Sequence, residues 1–277
     1  MYICPSVEQV HDTIIEKLRA YFASAGKSRA VLGLSGGIDS AVVACLAVRA
    51  FGKESVTGVL MPSPYSTMHS VTDAVELAEN LGIKYHIAPI EGAFHKLMKE
   101  LEEYFGEEPR QIARENLQAR LRSIILMSFS NHYGSLVLNT SNKSELAMGY
   151  GTLYGDLSGA VMPVADIYKF QIYELAEYIN SEKRYIPDST MTKAPSAELS
   201  VGQKDSDSIP EYNLLDPILV KLIEEKRDAE ELVSEGIDRE LLDKIQSLMM
   251  AAGFKVHQLA QVIKINRHPI PPENKWL

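Results

Sequence analysis

The sequence predicts a doubly wound α/β fold, in which a mostly parallel sheet of five strands is flanked by helices and followed by a helical C-terminal region. Two observations lead to this prediction. Short, continuously apolar runs alternate with longer stretches of helical spacing through the first 165 residues, as in successive βαβ units. The apolar runs lack the polar alternation of strands with one wet face, so we expect them to be buried on both faces.

The predicted elements follow this alternation in order. A helix over 6–25 precedes the first strand, 29–34, which reads RAVLGL and ends close to a glycine-rich turn. Four further strands are expected, at 55–61, 83–90, 135–140 and 160–164, and the helices between them at 37–52, 70–81, 91–105 and 111–132. Helices are then predicted at 166–180, 213–235, 238–251 and 254–264. We expect residues 1–277 to form one domain, with a sheet core at 29–165 and a helical part at 166–265.

Composition narrows the functional classes. The 277 residues carry a formal net charge of −9 and are 45% apolar, which argues against nonspecific binding to nucleic acid or to an anionic membrane. The longest aliphatic run, AVVACLAV, is far shorter than the ~20 residues of a membrane helix, and the N-terminus lacks the pattern of a signal peptide. Two cysteines without metal-ligand spacing fit reduced thiols. We therefore predict a cytoplasmic protein.

A long polar segment interrupts the C-terminal helices. Residues 187–212 read PDSTMTKAPSAELSVGQKDSDSIPEY and are rich in serine, aspartate and proline. A polar loop of this length inside a compact domain is typical of a functional lid. The alternative is a plain mobile connection.

The stretch LGLSGGIDS, residues 32–40, is the strongest candidate for a site. It matches the G-x-S-x-G nucleophile elbow, and Asp216, His257 and His268 follow in the chain order of a hydrolase triad. However, the stretch follows the first strand, so no earlier loop precedes it to donate an oxyanion-hole amide. A Walker A loop would need a lysine after the glycines, and a dinucleotide fingerprint would need G-x-G-x-x-G.

A different phosphate loop explains these residues better. Ser35, Gly36 and Gly37 turn the chain from strand to helix, where glycines let backbone amides approach an anion and the helix N-terminus adds unpaired N–H groups. Asp39 would repel a polyphosphate unless a Mg²⁺ ion lay between them. The alternative for Asp39 is a first-turn acid that stabilises the helix dipole.

The S-G-G-x-D-S pattern resembles the signature of the ATP pyrophosphatases, the adenine nucleotide α-hydrolases. Within that group, five separated segments are similar to NAD synthetases: 60–83, 115–127, 138–156, 162–176 and 193–207. The resemblance implies ATP-dependent amidation of deamido-NAD (nicotinic acid adenine dinucleotide) to NAD⁺ through an adenylated intermediate. It further implies that ammonia is the nitrogen donor and that AMP and pyrophosphate are released.

The resemblance also implies roles for individual residues. Asp39 and Glu145 match Mg²⁺ ligands, and Arg120, Lys193, Arg267 and His268 are assigned to the substrate. The positions that match the ATP site are Gly33, Leu34, Ser35, Gly36, Gly37, Ile38, Asp39, Ser40, Thr140, Lys169 and Ser196.

The chain departs from the family pattern at three places. Leu153 stands where some members have a lysine, and Ala160 where they have an aspartate. Near the C-terminus many members carry a basic pair that helps to bind the dinucleotide, and this chain has Arg267 and His268 in its place. With about 28 residues before the first strand, we expect no glutaminase domain, and ammonia either free or supplied by a separate glutaminase. The resemblance also implies a homodimer, for which 111–132 is a candidate interface. Two alternatives stay open: another ATP pyrophosphatase-type ligase or tRNA-modifying enzyme, and a non-enzymatic nucleotide-binding module.

Overall fold

The computed structural model describes residues 2–270. Its strands are β1 Ala30–Gly33, β2 Val56–Leu60, β3 Lys84–Ile87, β4 Leu136–Val137, β5 Val161–Met162 and β6 Gln261–Val262. Its α-helices are α1 Val7–Ser24, α2 Ile38–Phe51, α3 Met68–Leu81, α4 Glu91–Phe105, α5 Gln111–Tyr133, α6 Lys143–Ala147, α7 Lys169–Glu182, α8 Asp188–Thr192, α9 Tyr212–Leu219, α10 Ala229–Ser234 and α11 Arg239–Val256. The predicted alternation of strands and helices is confirmed through residue 165, except for the short helix α6 between β4 and β5.

The sheet is parallel throughout. Four strands lie in the order β3-β2-β1-β4, with Gly33 opposite Val59 in the β1–β2 ladder. The predicted fifth strand, β5, joins this sheet through a single parallel bridge from Leu138 to Val161 and pairs with β6. Parallel strands place their carboxyl ends on one edge, so the segments that follow β1, β2 and β4 lie close together.

Helices cover both faces of the sheet. On one face α2 lies between α1, α3 and α7, and most of its residues, from Ile38 to Ala50, are buried. On the other face α4 and α5 enclose a smaller core that includes Phe94 and Leu121. This double coverage explains why β1 and β2 carry apolar residues on both sides. The prediction is wrong for the edge strand β3, which has no buried residue and leaves Ile87 52% exposed. None of the helices in the described part is both long and apolar enough to cross a membrane.

The C-terminal region differs from the prediction in two respects. The helix expected at 213–235 is interrupted, because α9 passes into a π-helical turn, Val220–Glu224, and α10 starts only at Ala229. The helices expected at 238–251 and 254–264 are one helix, α11, followed by β6. These elements pack around their own apolar core with α6. The short helix α6 was not predicted, because five residues are too few to show helical periodicity.

Candidate active site

The loop between β1 and α2 forms a tight turn that leaves the start of the helix open. Gly36 has φ +78, which is unfavourable for residues with a Cβ. Gly37 is the N-cap residue of α2 and provides no side-chain cap. The hydroxyl of Ser40 donates to the carbonyl oxygen of Gly37 (3.0 Å), and the Ser35 hydroxyl accepts from the Gly37 amide (3.2 Å). Serine hydroxyls and free first-turn amides therefore converge where an anion would bind.

The structure does not assemble a hydrolase triad around Ser35. Within the described residues, the Ser35 hydroxyl contacts only its own loop, at Ser40 (3.1 Å) and Gly37. Asp216 instead accepts from the hydroxyl of Ser144 (2.6 Å) and from the amide of Phe170 (2.9 Å). Burial raises the pKa of Asp216 to about 6. Asp216 thus accepts a backbone N–H in the first turn of α7 and is not paired with a histidine among the described residues.

Two carboxylates meet on one buried lysine beside this loop. Lys169, the first residue of α7, has 2% of its side chain exposed, and its Nζ lies 2.5 Å from Asp39 Oδ2 and 3.5 Å from Glu145 Oε1. The side-chain amide of Asn142 donates to the other oxygen of Asp39 at 2.8 Å. Glu145 is held by a capping box in which its carboxylate accepts from the backbone N–H of Asn142. Residues far apart in sequence thus form one charged cluster.

The cluster contains one cation for two carboxylates. Burial of the Glu145 side chain, of which 15% is exposed, together with the charge of Asp39, raises the pKa of Glu145 to about 8. Burial alone would lower the pKa of Lys169, but Asp39 and Glu145 outweigh it and raise that pKa. We infer that Lys169 and Asp39 form the ion pair. Glu145 is then protonated, so that the cluster carries no unpaired negative charge.

The same two carboxylates fit a magnesium ion. Their oxygens converge on the single point where Lys169 Nζ now lies. Among residues 2–270, no group of three or more histidine, cysteine, aspartate or glutamate side chains is arranged to hold a metal. Mg²⁺ is commonly bound by one or two carboxylates, with substrate phosphates and water as the other ligands. Asp39 and Glu145 match that mode of binding.

A cavity of about 300 Å³ lies over the loop and the cluster. It is closed in part by the segment from Lys193 to Leu199 and by Asp205. Gly36 is set back from the cavity against α3. The predicted residues that line it are Gly33, Leu34, Ser35, Gly37, Ile38, Asp39, Ser40, Thr140, Glu145, Lys169, Lys193 and Ser196.

The segment predicted as a lid is fastened to α3. Lys193 Nζ lies 3.0 Å from Asp73 Oδ2, and the hydroxyl of Ser189 also donates to Asp73, at 2.6 Å. The carboxylate of Glu198 accepts from the hydroxyls of Ser70 (2.6 Å) and Thr67 (3.1 Å) at the start of α3. None of residues 193–199 is fully buried, so opening this part of the segment would break mainly polar contacts. Its motion stays a prediction.

Three predicted substrate residues lie outside the cavity. Arg120 is on the outer side of α5, where its Nε donates to the carbonyl oxygen of Leu153 at 3.2 Å. The guanidinium of Arg267 lies 5.5 Å from the ring centre of Tyr2. His268 uses its backbone, since its carbonyl oxygen accepts from Lys143 Nζ at 2.7 Å. Their contact with the substrate stays a prediction.

The two positions that depart from the family pattern also face away from the loop. Leu153 packs against the C-terminal core. The carbonyl oxygen of Ala160 accepts from the hydroxyl of Tyr21 at 2.8 Å.

Sequence reasoning missed two groups that the fold brings to the cavity. Arg122 lines the cavity wall, although it is only two residues from the predicted Arg120 in QARLR. A helix turns by about 100° per residue, so Arg120 and Arg122 point to different sides of α5. Asp205 lines the cavity too, and accepts from the hydroxyl of Tyr212 at 2.9 Å. The segment KDSDS contains two aspartates, Asp205 and Asp207, and nothing in the sequence singled out Asp205.

Comparison with known proteins places this geometry in a family. A model described as NAD synthase matches residues 10–259. The glutamine-dependent NAD(+) synthetase of Synechocystis sp. is 45% identical over 258 residues, which are 93% of this chain and 46% of that protein. The corresponding protein of Thermotoga maritima is 43% identical over 94% of this chain and 45% of its own length. The chain thus spans about half the length of these curated relatives.

Solved structures share the fold over most of the chain. The NH3-dependent NAD synthetase of Campylobacter jejuni superposes with a TM-score of 0.74 at 31% identity, covering 91% of this chain and 96% of that one. The NMN synthetase of Francisella tularensis gives a TM-score of 0.77 at 28% identity, with the same coverage of 91% and 96%. The predicted adenine nucleotide α-hydrolase-like fold is confirmed, and the chain belongs to the NAD synthase family.

Proposed function

We propose that this chain is an ATP-dependent ligase that converts the carboxylate of deamido-NAD into the amide of NAD⁺, releasing AMP and pyrophosphate. The observation that carries the proposal is the convergence of the Ser35–Ser40 loop, Asp39, Glu145 and Lys169 in one partly closed cavity. Membership of the NAD synthase family supports the same reaction.

The first step forms an acyl adenylate. The loop amides and the hydroxyls of Ser35 and Ser40 hold the outer two phosphates of ATP at the start of α2, which leaves the inner phosphate exposed to attack. An oxygen of the substrate carboxylate bonds to the α-phosphorus, and the bond from that phosphorus to the bridging oxygen breaks, releasing pyrophosphate. Lys169 lies where it can offset the charge on the departing group.

Asp39 and Glu145 are the residues that would hold a magnesium ion in this charge balance. The ion, when bound, screens the phosphate charges from the carboxylates of the site. Lys169 now occupies the point on which both carboxylates converge, so we expect it to move toward the phosphates when the metal binds.

The second step forms the amide. Ammonia adds to the acyl carbon, a proton leaves the nitrogen, and AMP departs with the oxygen that bridged carbon and phosphorus. Water would hydrolyse the adenylate at the same carbon, so the cavity has to exclude it. The Lys193–Leu199 segment closes the cavity by its bonds to α3, and Ser196 and Thr140 line the enclosed space. We assign this segment the role of the lid.

The nitrogen source is part of the proposal. We propose that these 277 residues use ammonia by themselves, free or supplied by a separate glutaminase. The Campylobacter jejuni structure, named as NH3-dependent, is matched over 96% of its length, which supports ammonia. The curated relatives are named as glutamine-dependent, and this chain covers less than half of each of the two compared. Comparing ammonium with glutamine as donor tests the point.

We further propose a cytoplasmic homodimer with α5 at the interface. Ile112, Ile124 and Met127 on that helix are exposed by 60%, 62% and 42%, and burying such residues between two copies would be favourable. Light scattering on the purified chain would give a mass twice that of the monomer. A monomeric mass at micromolar concentration would contradict the dimer.

The decisive assay for the proposal is product analysis. The protein is mixed with ATP, Mg²⁺ and deamido-NAD, and with either ammonium or glutamine. We expect NAD⁺, AMP and pyrophosphate in equal amounts with ammonium. Because one structural relative is named as an NMN synthetase, the carboxylic acid form of NMN is the comparison substrate. ADP and phosphate as products would exclude adenylation, and AMP formation dependent on tRNA would favour the alternative of a tRNA-modifying enzyme.

A further inference from the structure

One cation in the cavity wall lacks the counter-charge that its neighbours have. Three basic side chains line the cavity in the described residues: Arg122, Lys169 and Lys193. Lys169 is paired with Asp39 and Lys193 with Asp73. Arg122 has no carboxylate within 4 Å among residues 2–270.

The guanidinium of Arg122 is fixed at one corner and free at the others. Its Nε donates to the carbonyl oxygen of Met61 at 3.0 Å, just beyond the end of β2. A guanidinium has five N–H donors in a rigid fork, and this is the one bond that Arg122 makes within the described residues. The remaining donors are therefore oriented by the backbone of β2 and available to a ligand.

The surroundings of Arg122 disfavour its charge. Arg122 is half-buried, and burial lowers the pKa of its guanidinium to about 10, although Asp156 and Glu198 act in the opposite direction. A desolvated cation without a partner is costly. An anion in the cavity would supply the missing counter-charge, and a fork of N–H donors suits the paired oxygens of a phosphoryl group.

The location of Arg122 selects the phosphoryl group. Met61 follows β2, the strand next to β1, and neighbouring strands lie about 4.8 Å apart. Arg122 thus stands beside the Ser35–Ser40 loop and not on it. The adjacent residue, Ser123, bonds to Ser158 at 2.6 Å, which holds this turn of α5 against the 155–158 loop. In the proposed function the loop and Lys169 bind the two outer phosphates of ATP. The phosphoryl group that reaches Arg122 is therefore the inner one.

We propose that Arg122 binds the α-phosphoryl group of ATP, and then the phosphate of the adenylate formed from it. This inference rests on the proposed function for the identity of the nucleotide. It gives Arg122 two tasks: orienting the α-phosphorus for attack, and offsetting the negative charge that develops there.

Equilibrium binding of AMP and adenosine tests the assignment without any turnover. The two ligands differ only in the α-phosphate, so each variant reports what that group contributes. We expect the unaltered protein to bind AMP more tightly than adenosine. Arg122→Gln should weaken AMP binding by about 10- to 100-fold, the range for a charge-assisted contact, and change adenosine binding less than about threefold. Arg122→Lys should retain part of the effect, because it keeps the charge and loses the fork.

The matched control lies on the same helix. Arg114→Gln removes a guanidinium of α5 that pairs with Glu108 near the surface, and both affinities should stay unchanged. Thermal unfolding of every variant without ligand checks that α5 is intact. Equal weakening of AMP and adenosine binding by Arg122→Gln would show a structural role and overturn the proposal. So would unchanged AMP binding accompanied by a raised KM for deamido-NAD.

The same data separate this inference from the proposed function. If the unaltered protein forms no NAD⁺ but shows the AMP-specific effect of Arg122, the phosphate site stands and the synthetase reaction falls. If NAD⁺ forms and the AMP-specific effect is absent, the reaction stands and the role of Arg122 is refuted.

Discussion

Replacing Gly36 by alanine tests whether the phosphate loop depends on its close approach to α3. Gly36 has φ +78, and a Cβ built there would lie 2.9 Å from the carbonyl carbon of Ser70 and closer still to its oxygen. A left-handed conformation costs a non-glycine residue about 1–2 kcal/mol. Relieving a clash with backbone adds about 1–3 kcal/mol. The two sum to a loss of about 2–5 kcal/mol in the free energy of unfolding.

A second glycine separates the two contributions. Gly26 also has a positive φ, +63, but a Cβ there meets nothing within 4 Å. Gly26→Ala should therefore lose only the conformational part, about 1–2 kcal/mol. Urea unfolding monitored by circular dichroism measures both variants. Because Gly36 lies between Ser35 and Gly37, its displacement should also weaken ATP binding, which calorimetry would detect, whereas Gly26→Ala should bind ATP normally.

The comparison has a clear negative outcome. If Gly36→Ala is no less stable than Gly26→Ala and binds ATP with unchanged affinity, the loop does not need its contact with Ser70. The account of the loop as a rigid anion cradle would then be wrong.

Three further outcomes follow from buried charge. Lys143→Met should destabilise the protein by about 3–5 kcal/mol, because Lys143 Nζ bonds Asp166 (2.8 Å) and Glu224 (2.6 Å) and all three side chains are 0% exposed. Urea unfolding measures the loss, and a loss as small as that of the exposed Arg239→Gln would contradict this account. Without metal, the free energy of unfolding should fall as pH rises from 4.5 toward about 8, because the unfolded chain ionises Glu145 first and the folded site keeps its proton; Glu145→Gln should flatten this fall above the pKa of Asp216, about 6, and an unchanged slope in that range would refute the cause. Asp39→Ala should nearly abolish NAD⁺ formation while circular dichroism stays native, and turnover like that of the unaltered protein would exclude its role as a metal ligand.

The parts of the fold that repeat were predictable from the sequence. Apolar runs such as that of β1 and the glycine after α2 are local signals, and local signals set the order of strands and helices. The C-terminal region was harder. Its helix boundaries depend on the π-helical turn at Val220–Glu224 and on tertiary contacts of Glu224 with Lys143, which no periodicity reveals.

The site divides in the same way. The residues of the 33–40 loop are contiguous, so one motif was enough to predict them. Lys169 and Glu145 required a resemblance, because only the fold brings them to Asp39. Arg122 was missed because its signal is the absence of an ion pair, and that is visible only once the surrounding carboxylates are located.

The fate of one oxygen atom tests the central claim most directly. Deamido-NAD labelled with ¹⁸O in its nicotinate carboxylate is incubated with the protein, ATP, Mg²⁺ and ammonium, and the products are weighed by mass spectrometry. Adenylation predicts one labelled oxygen in AMP and none in pyrophosphate, because the carboxylate oxygen bridges to the α-phosphorus before AMP departs. Label in inorganic phosphate together with ADP, or unlabelled AMP beside newly formed NAD⁺, would contradict attack at the inner phosphate.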